Sequence, residues 1–131
     1  MRLSRDDYFT TQKIYYPGFT IAGSAEVPSI ILTAISAAVP PVGGLDFWLR
    51  VSAAIALAGV HIVFWIRVQP TNKTWMGDQQ ISRAGTTFFG SQPSTTMPTD
   101  WTLLRYRWES GHVIRAGLSA ISVIALVIAL P

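Results

Sequence analysis

The chain has 131 residues, of which half are hydrophobic and only 13% are charged, and its formal net charge is +3. Soluble domains carry about 25% charged residues, so this composition does not provide a water-facing surface, and its apolar content excludes a disordered chain. Because cysteine is absent, disulfides, thiolate metal ligands and cysteine nucleophiles are excluded as well. We therefore expect one domain, and we expect it to be an integral membrane protein.

Three apolar segments have the length of membrane-spanning helices, at residues 18–39, 47–68 and 110–130. Since lipid offers no hydrogen-bonding partners, the backbone polar groups of each segment must pair within it, as they do in an α-helix. The sequence therefore predicts an all-α fold, a single transmembrane helical bundle with three spans in this chain. A cleaved signal sequence is the alternative for the first segment, but Asp6 and Asp7 precede it and it is longer than a typical signal core.

The basic residues are distributed unevenly around these spans, and their distribution predicts the orientation. Three precede the first span and five lie in or beside the link at 69–100, whereas the link between the first two spans has none. The positive-inside rule places the N-terminus and the 69–100 link in the cytoplasm and the C-terminus outside, with the plasma membrane as the expected location. Topology thus accounts for the basic charge, and no nucleic-acid partner is expected.

A stripe of polar and aromatic side chains follows one face of a helix that we expect to begin near Trp101, behind an N-cap at Thr99 or Asp100. Glu109 and His112 form a Glu-x-x-His pair, a spacing at which two side chains converge on one metal in helical bundles. The alternative is a salt-bridged helix start at the membrane interface, with its tryptophans in the aromatic belt. The residues of the stripe recur at three- and four-residue steps: Trp101, Arg105, Trp108, Glu109, His112 and Arg115.

Two ionisable residues inside the first two spans lie at the depth of this stripe. Glu26 is about 12 Å from the cytoplasmic start of its span, and His61 is about 9 Å from the cytoplasmic end of the next. A charge inside a span costs at least about 2.5–3.5 kcal/mol, so such residues usually face a partner or a cavity. We expect Glu26 to be neutral or paired with Arg105, Arg115 or a histidine. The alternatives are a kink beside Pro28 for Glu26 and simple packing for His61.

Two motifs resemble those of the anthrone oxygenase-like family of small, mostly uncharacterised multi-pass membrane proteins. Residues 69–75, Gln-Pro-Thr-Asn-Lys-Thr-Trp, follow a span directly, and Trp-x3-Arg-x2-Trp-Glu-x2-His at 101–112 opens the next. The resemblance covers most of the chain apart from an insert at 76–97. Members of that family have four spans, so the resemblance implies an antiparallel four-helix bundle minus its first helix, either by truncation or as a natural three-span variant.

The resemblance implies an oxygenase or related oxidoreductase that acts on a lipophilic aromatic or quinone-like small molecule admitted from the bilayer. Glu26 or Glu109 would abstract a proton from an acidic C–H bond, and His112 would relay it. Arg105 would stabilise the resulting phenolate or enolate. Cofactors stay open between none, a metal and a quinone, and the metal variant would use Glu26, Glu109 and His112. The residues expected to contact the substrate are His61, Asn72, Trp75 and Trp108.

The alternative function is a non-catalytic subunit or assembly factor of a larger membrane complex. Small residues line one face of each span and allow close helix packing, which would serve a membrane partner or a homo-oligomer equally. Phosphate-binding glycine loops, His-Glu-x-x-His zinc sites and Gly-x-Ser-x-Gly nucleophile motifs are absent from the sequence. The small residues are Gly23, Ser24, Ala53, Ala54, Ala56, Ala58, Gly59, Gly117, Ser119 and Ala120.

Overall fold

The computed structural model describes residues 3–76 and 100–130, apart from a few side chains, and within these ranges it contains helices and no strand. Three helical stretches are long and apolar enough to cross a membrane: Ile21–Ala38, Leu45–Thr74 and Trp101–Ile128. The predicted all-α helical bundle is therefore confirmed, and the chain is described below as an integral membrane protein. The side chains outside the description are those of Lys13, Tyr16, Pro17, Thr20, Trp75 and Met76.

The first span consists of two helices with a break between them. Helix α1 covers Arg5–Ser24 and helix α2 covers Glu26–Ala38, so Ala25 alone separates them. Pro28 has no N–H to donate back across the break, which favours an interruption at this point. The break places Glu26 in the first turn of α2, within the apolar stretch.

Helix α1 begins well before the predicted span at 18–39, because the polar residues ahead of the span are good helix starters. The side chain of Ser4 accepts a hydrogen bond from the backbone N–H of Asp7 at 3.3 Å, which caps the helix. Asp6 and Asp7 lie in the first turn, where negative charge interacts favourably with the helix dipole. This early turn brings Tyr8 into a buried cluster with Phe64 and Trp108.

The second span is one continuous helical rod that changes its winding near its end. Helix α3 covers Leu45–Val63, a π-helical segment covers Phe64–Val68, and helix α4 covers Gln69–Met76. The rod therefore continues past the predicted end of the span at residue 68. In a regular α-helix the N–H of residue 70 would bond to the carbonyl of Ile66, but Pro70 has none. The guanidinium of Arg107 donates to that carbonyl instead, at 3.3 Å.

The third span is helix α5, Trp101–Ile128. It begins upstream of the predicted span at 110–130, at the point where the sequence placed an N-cap. Asp100 accepts hydrogen bonds from the backbone N–H of Thr102 at 2.9 Å and from its hydroxyl at 2.8 Å. The backbone hydrogen bond is the main reason that the pKa of Asp100 falls below its ordinary value. Asp100 is thereby confirmed as the N-cap, whereas the alternative, Thr99, lies outside the described residues.

Helix α5 lies close against the rod at Gly111, beside the π-helical segment. A Cβ atom at Gly111 would lie 2.8 Å from Cγ2 of Val68 and 3.6 Å from Cβ of Arg67. Val68 is only 1% exposed and branches at Cβ, so it has little freedom to move aside. Glycine at 111 is thus a requirement of this packing, whereas a Cβ at Gly117 would meet nothing within 4 Å.

We predict that Gly111→Ala destabilises the fold by about 1–3 kcal/mol, because the added methyl group overpacks the contact with Val68. Gly117→Ala is the matched control in the same helix and should be neutral or stabilising by up to about 1 kcal/mol, since alanine favours helices. Unfolding of the purified variants in mixed micelles, followed by circular dichroism, measures both. Equal stability of the two variants would contradict the close approach at Gly111.

Candidate functional site

A cavity of about 400 Å³ lies between the three spans. Its walls are mostly apolar and carry the aromatic rings of Phe19, Phe64 and Trp108. Small-molecule sites typically have about 300–1,000 Å³, apolar walls and a few convergent polar groups, and this cavity matches that description. The polar residues that line it are Glu26, Ser29, Asn72, His112, Arg115 and Ser119.

The carboxylate of Glu26 links all three spans within the cavity wall. Its Oε1 accepts a hydrogen bond from Nη2 of Arg115 on α5, and its Oε2 lies 3.2 Å from Nδ1 of His61 on α3. The Glu26 and Arg115 side chains are only 17% and 14% exposed. The guanidinium of Arg115 also lies over the ring of Phe64, 5.2 Å from its centroid. We call the group of Glu26, His61, His112 and Arg115 the Glu26 cluster.

The two histidines of the cluster each have a further contact. Nε2 of His61 accepts a hydrogen bond from the indole N–H of Trp65 at 2.9 Å. Nδ1 of His112 lies 3.4 Å from Nη1 of Arg115, a long contact, and its ring is 4.1 Å from the ring of Trp108. His112 lines the cavity directly, whereas His61 reaches Glu26 from the α3 side.

Asn72 reaches the cavity because the rod continues as helix α4 beyond the apolar run. It is 2% exposed, and its Oδ1 accepts a hydrogen bond from the indole N–H of Trp108 at 2.9 Å. A buried amide needs such a partner, because an unmade hydrogen bond there costs about 1–3 kcal/mol. This bond joins the two motifs that the sequence singled out, one on α4 and the other on α5.

Arg105 and Glu109 form a second cluster that is separate from the cavity. Arg105 Nε donates to Glu109 Oε1 at 2.7 Å, and its guanidinium lies 4.7 Å from the ring centroid of Tyr8 and 5.9 Å from that of Trp101. Both residues line a smaller cavity of about 190 Å³ instead. Burial and then the nearby charge of Glu109 raise the pKa of Tyr8 to about 12. We call Tyr8, Arg105 and Glu109 the interface cluster.

The structure thus divides the residues that the sequence selected. Arg105 and Glu109, expected as oxyanion stabiliser and base, lie in the interface cluster and pair with each other. Among the described residues no three His, Asp or Glu side chains are close enough to hold a metal ion, so Glu26, Glu109 and His112 do not form the expected ligand set. The side chain of Trp75 lies outside the described residues. The predicted site residues that the structure brings together, in the cavity wall or in contact with Glu26, are Glu26, His61, Asn72, Trp108 and His112.

Two contributors to the site were not singled out as site residues from the sequence. Arg115 was placed in the helical stripe and named as one of several partners for Glu26, but it was given no role at the site, although it follows His112 by three residues on the same helix face. Trp65 follows His61 by four residues, and this spacing is the only signal of their contact in the sequence. In both cases the spacing permits the contact but does not select it among other neighbours.

No family model, no curated protein and no solved structure matches this chain. The similarity to anthrone oxygenase-like proteins therefore stays a prediction from two motifs. The candidate site is supported by its own geometry, above all by the cavity and the charged groups in its wall.

We predict that the Glu26–Arg115 pair is strongly coupled in stability. Glu26→Gln or Arg115→Gln alone should destabilise the protein by about 3–5 kcal/mol, because each leaves an uncompensated charge in the membrane interior. The double variant should be less destabilised than the sum of the singles, with a coupling of up to about 3 kcal/mol. Unfolding in mixed micelles measures the double-mutant cycle.

The interface cluster supplies the matched control for this cycle. Glu109 is 45% exposed in its pair with Arg105, and such pairs on one helix contribute only about 0.3–0.5 kcal/mol. The corresponding cycle with Arg105→Gln and Glu109→Gln should therefore show a small coupling. Equal coupling energies in the two cycles would contradict the distinction between a buried pair and an exposed one.

We predict that Tyr8 ionises at a higher pH than a free tyrosine side chain. Since its pKa in the folded protein is raised from 10.0 to about 12, its neutral form contributes stability that is complete below the unfolded pKa. That contribution to stability is lost as the pH rises from 10.0 to about 12. An absorbance titration of tyrosinate should lose a component near pH 12 in Tyr8→Phe and keep that component in Tyr106→Phe. Loss of that component in the Tyr106 variant instead would contradict the burial of Tyr8.

Proposed function

We propose that the chain is a membrane oxidoreductase of the oxygenase type, which binds a lipophilic aromatic or quinone-like molecule between its spans and begins oxidation by removing a proton. The observation that supports this proposal is the position of Glu26, Arg115 and His112 in the wall of an apolar cavity with aromatic rings. A carboxylate next to a fixed cation at a largely apolar site has the composition needed for acid–base work on a substrate with little water solubility.

The walls of the cavity favour a flat substrate. Phe19, Phe64 and Trp108 contribute rings on which an aromatic molecule can stack or pack edge to face. The ring of Phe19 lies 5.9 Å from that of Trp108 and 5.6 Å from that of His112. A lipophilic molecule dissolved in the bilayer would lose little by moving into such a site, and its polar atoms would meet the few polar groups in the wall.

Glu26 is the base in this proposal, and Arg115 takes the role that the sequence gave to Arg105. Glu26 would remove the proton from an acidic C–H bond, and the electron pair would move onto the substrate oxygen as an enolate or phenolate. The guanidinium of Arg115 would stabilise that oxygen, and its Nε is buried with no hydrogen-bond partner among the described residues. Dioxygen is the oxidant: a CH₂ group and O₂ become a carbonyl group and water.

The orientation and membrane are proposed on charge alone. The basic residues around α1 and beyond the rod favour a cytoplasmic N-terminus and 69–100 link. The plasma membrane is the proposed location. The Glu26 cluster would then lie in the cytoplasmic half of the bilayer.

Part of the small-residue pattern behind the subunit hypothesis is used for packing within the chain. Ala53 and Ala56 on α3 are 0% and 8% exposed, and Ser122 and Ala125 on α5 are 1% and 7% exposed. A Cβ at Gly59 would meet Leu118 at 3.3 Å. Packing within the chain therefore accounts for Ala53, Ala56 and Gly59 of the small-residue pattern that suggested a partner, whereas Ser24, Gly117 and Ala120 are exposed.

We predict that the purified protein consumes dioxygen when given an anthrone in mild detergent, at a rate above that of buffer and empty micelles. Glu26→Gln should lower kcat by about 10²–10⁴-fold, the usual contribution of a general base. Glu109→Gln is the matched control and should keep wild-type turnover, because its side chain belongs to the interface cluster. An oxygen electrode with product analysis by mass spectrometry measures both.

Two outcomes would contradict the proposal. Wild-type protein that neither consumes oxygen nor converts the anthrone would remove the oxidoreductase function. Equal losses in Glu26→Gln and Glu109→Gln would remove the assignment of the base to the cavity.

A further inference from the structure

We propose that the two histidines of the Glu26 cluster are held in opposite neutral tautomers and therefore have different roles. His61 carries its proton on Nδ1 and acts as a positioning residue for Glu26. His112 carries its proton on Nε2 and donates it as a hydrogen bond to an oxygen atom of the bound molecule. The tautomers follow from geometry alone, whereas the division of roles rests on the function proposed above.

The tautomer of His61 is fixed by Trp65. An indole N–H can only donate, so the Nε2 atom that lies 2.9 Å from it must present a lone pair. A neutral imidazole with a lone pair on Nε2 has its proton on Nδ1. That nitrogen lies 3.2 Å from Oε2 of Glu26, so the Nδ1–H group donates to the carboxylate.

The tautomer of His112 is fixed by Arg115 through the same reasoning. A guanidinium has five donors and no acceptor, so Nδ1 of His112 must present a lone pair to it. The proton of the neutral ring then lies on Nε2. The ring packs against the rings of Phe19 and Trp108, with centroids 5.6 Å and 4.1 Å away.

The resulting charge state suits a membrane interior. Glu26 contributes one negative charge, Arg115 one positive charge, and the two histidines none, so the cluster is neutral as a whole. A second proton on His61 would point at the N–H of Trp65, and a second proton on His112 would point at the guanidinium of Arg115. Either would add a charge inside the membrane and break a hydrogen bond as well.

This arrangement determines which group can accept a proton from a substrate. The lone pair of His61 is used by Trp65, and that of His112 is used by Arg115. An ionised carboxylate has about four lone-pair sites, so Glu26 keeps acceptor capacity after binding both partners. Glu26 is therefore the base of this cluster. His112, which the sequence analysis expected to relay the proton, acts as a hydrogen-bond donor instead.

Nuclear magnetic resonance of the full chain labelled with ¹⁵N-histidine tests the tautomers directly. The chain has only two histidines, and the spectrum that survives in His61→Gln or in His112→Gln assigns them. In lipid nanodiscs at neutral pH we expect an Nδ1–H ring for His61 and an Nε2–H ring for His112. Two rings in the same tautomer, or a doubly protonated ring at either position, would overturn the proposal.

A variant of Trp65 tests the hydrogen bond that the lone pair of His61 accepts. Trp65→Phe removes the only indole N–H that bonds to His61 among the described residues, so the ¹⁵N resonance of Nε2 should shift while the carboxylate of Glu26 keeps the proton on Nδ1. Trp48→Phe is the matched control, since Trp48 is 60% exposed at the other end of α3. An unchanged His61 spectrum in Trp65→Phe would overturn the assignment of its lone pair to Trp65.

The division of roles has a separate test in turnover. His61→Asn keeps an N–H donor close to the position of Nδ1 and should retain kcat within about threefold, whereas His61→Leu should lose more than about tenfold. Equal losses in the two variants would overturn the positioning role. Opposite tautomers in a protein without turnover would support the tautomer assignment and contradict only the proposed oxidoreductase.

Discussion

The ion pair between Glu26 and Arg115 is the interaction on which the rest of the structure depends. A carboxylate inside an apolar span is costly unless a cation meets it at the same depth, and here the cation comes from the third span while His61 adds a contact from the second. The pair thereby sets the level at which the three helices meet. It also lies in the wall of the cavity between them, so the same contact holds the bundle together and gives the cavity its chemistry.

A change of helical winding brings the second span into this arrangement. Pro70 removes a hydrogen bond from the rod, and Arg107 replaces it at the carbonyl of Ile66, so the π-helical segment is stabilised from α5. Gly111 lets α5 lie directly against that segment. With the rod continued as α4, the amide of Asn72 reaches the indole of Trp108 at the edge of the cavity. Such interruptions in helices are often found at functional sites.

The helices and much of the site were predictable from the sequence, because lipid imposes strict rules on length, polarity and depth. The depths of Glu26 and His61 indicated that they would meet, and Asp100 marked the start of the last span. The sequence did not separate Arg105 from Arg115, since both follow the same helical stripe. The break at Ala25 and the π-helical segment determine which groups of the other spans lie at the level of Glu26. Neither feature can be predicted from a regular helical period. The early start of α1 was missed because its residues are polar and its stability comes from capping and aromatic contacts.

The central claim of this account is that Glu26 is ionised inside the membrane and paired with Arg115. Infrared difference spectroscopy between wild-type protein and Glu26→Gln in lipid nanodiscs at neutral pH tests it most directly, with Glu109→Gln as the reference variant. The account predicts that the substitution at Glu26 removes carboxylate stretching bands and leaves the region of protonated carboxyl groups unchanged. If the substitution instead removed a band of a protonated carboxyl group, the account would be contradicted. Arg115 would then lack its counter-charge, and the cavity would lack its base.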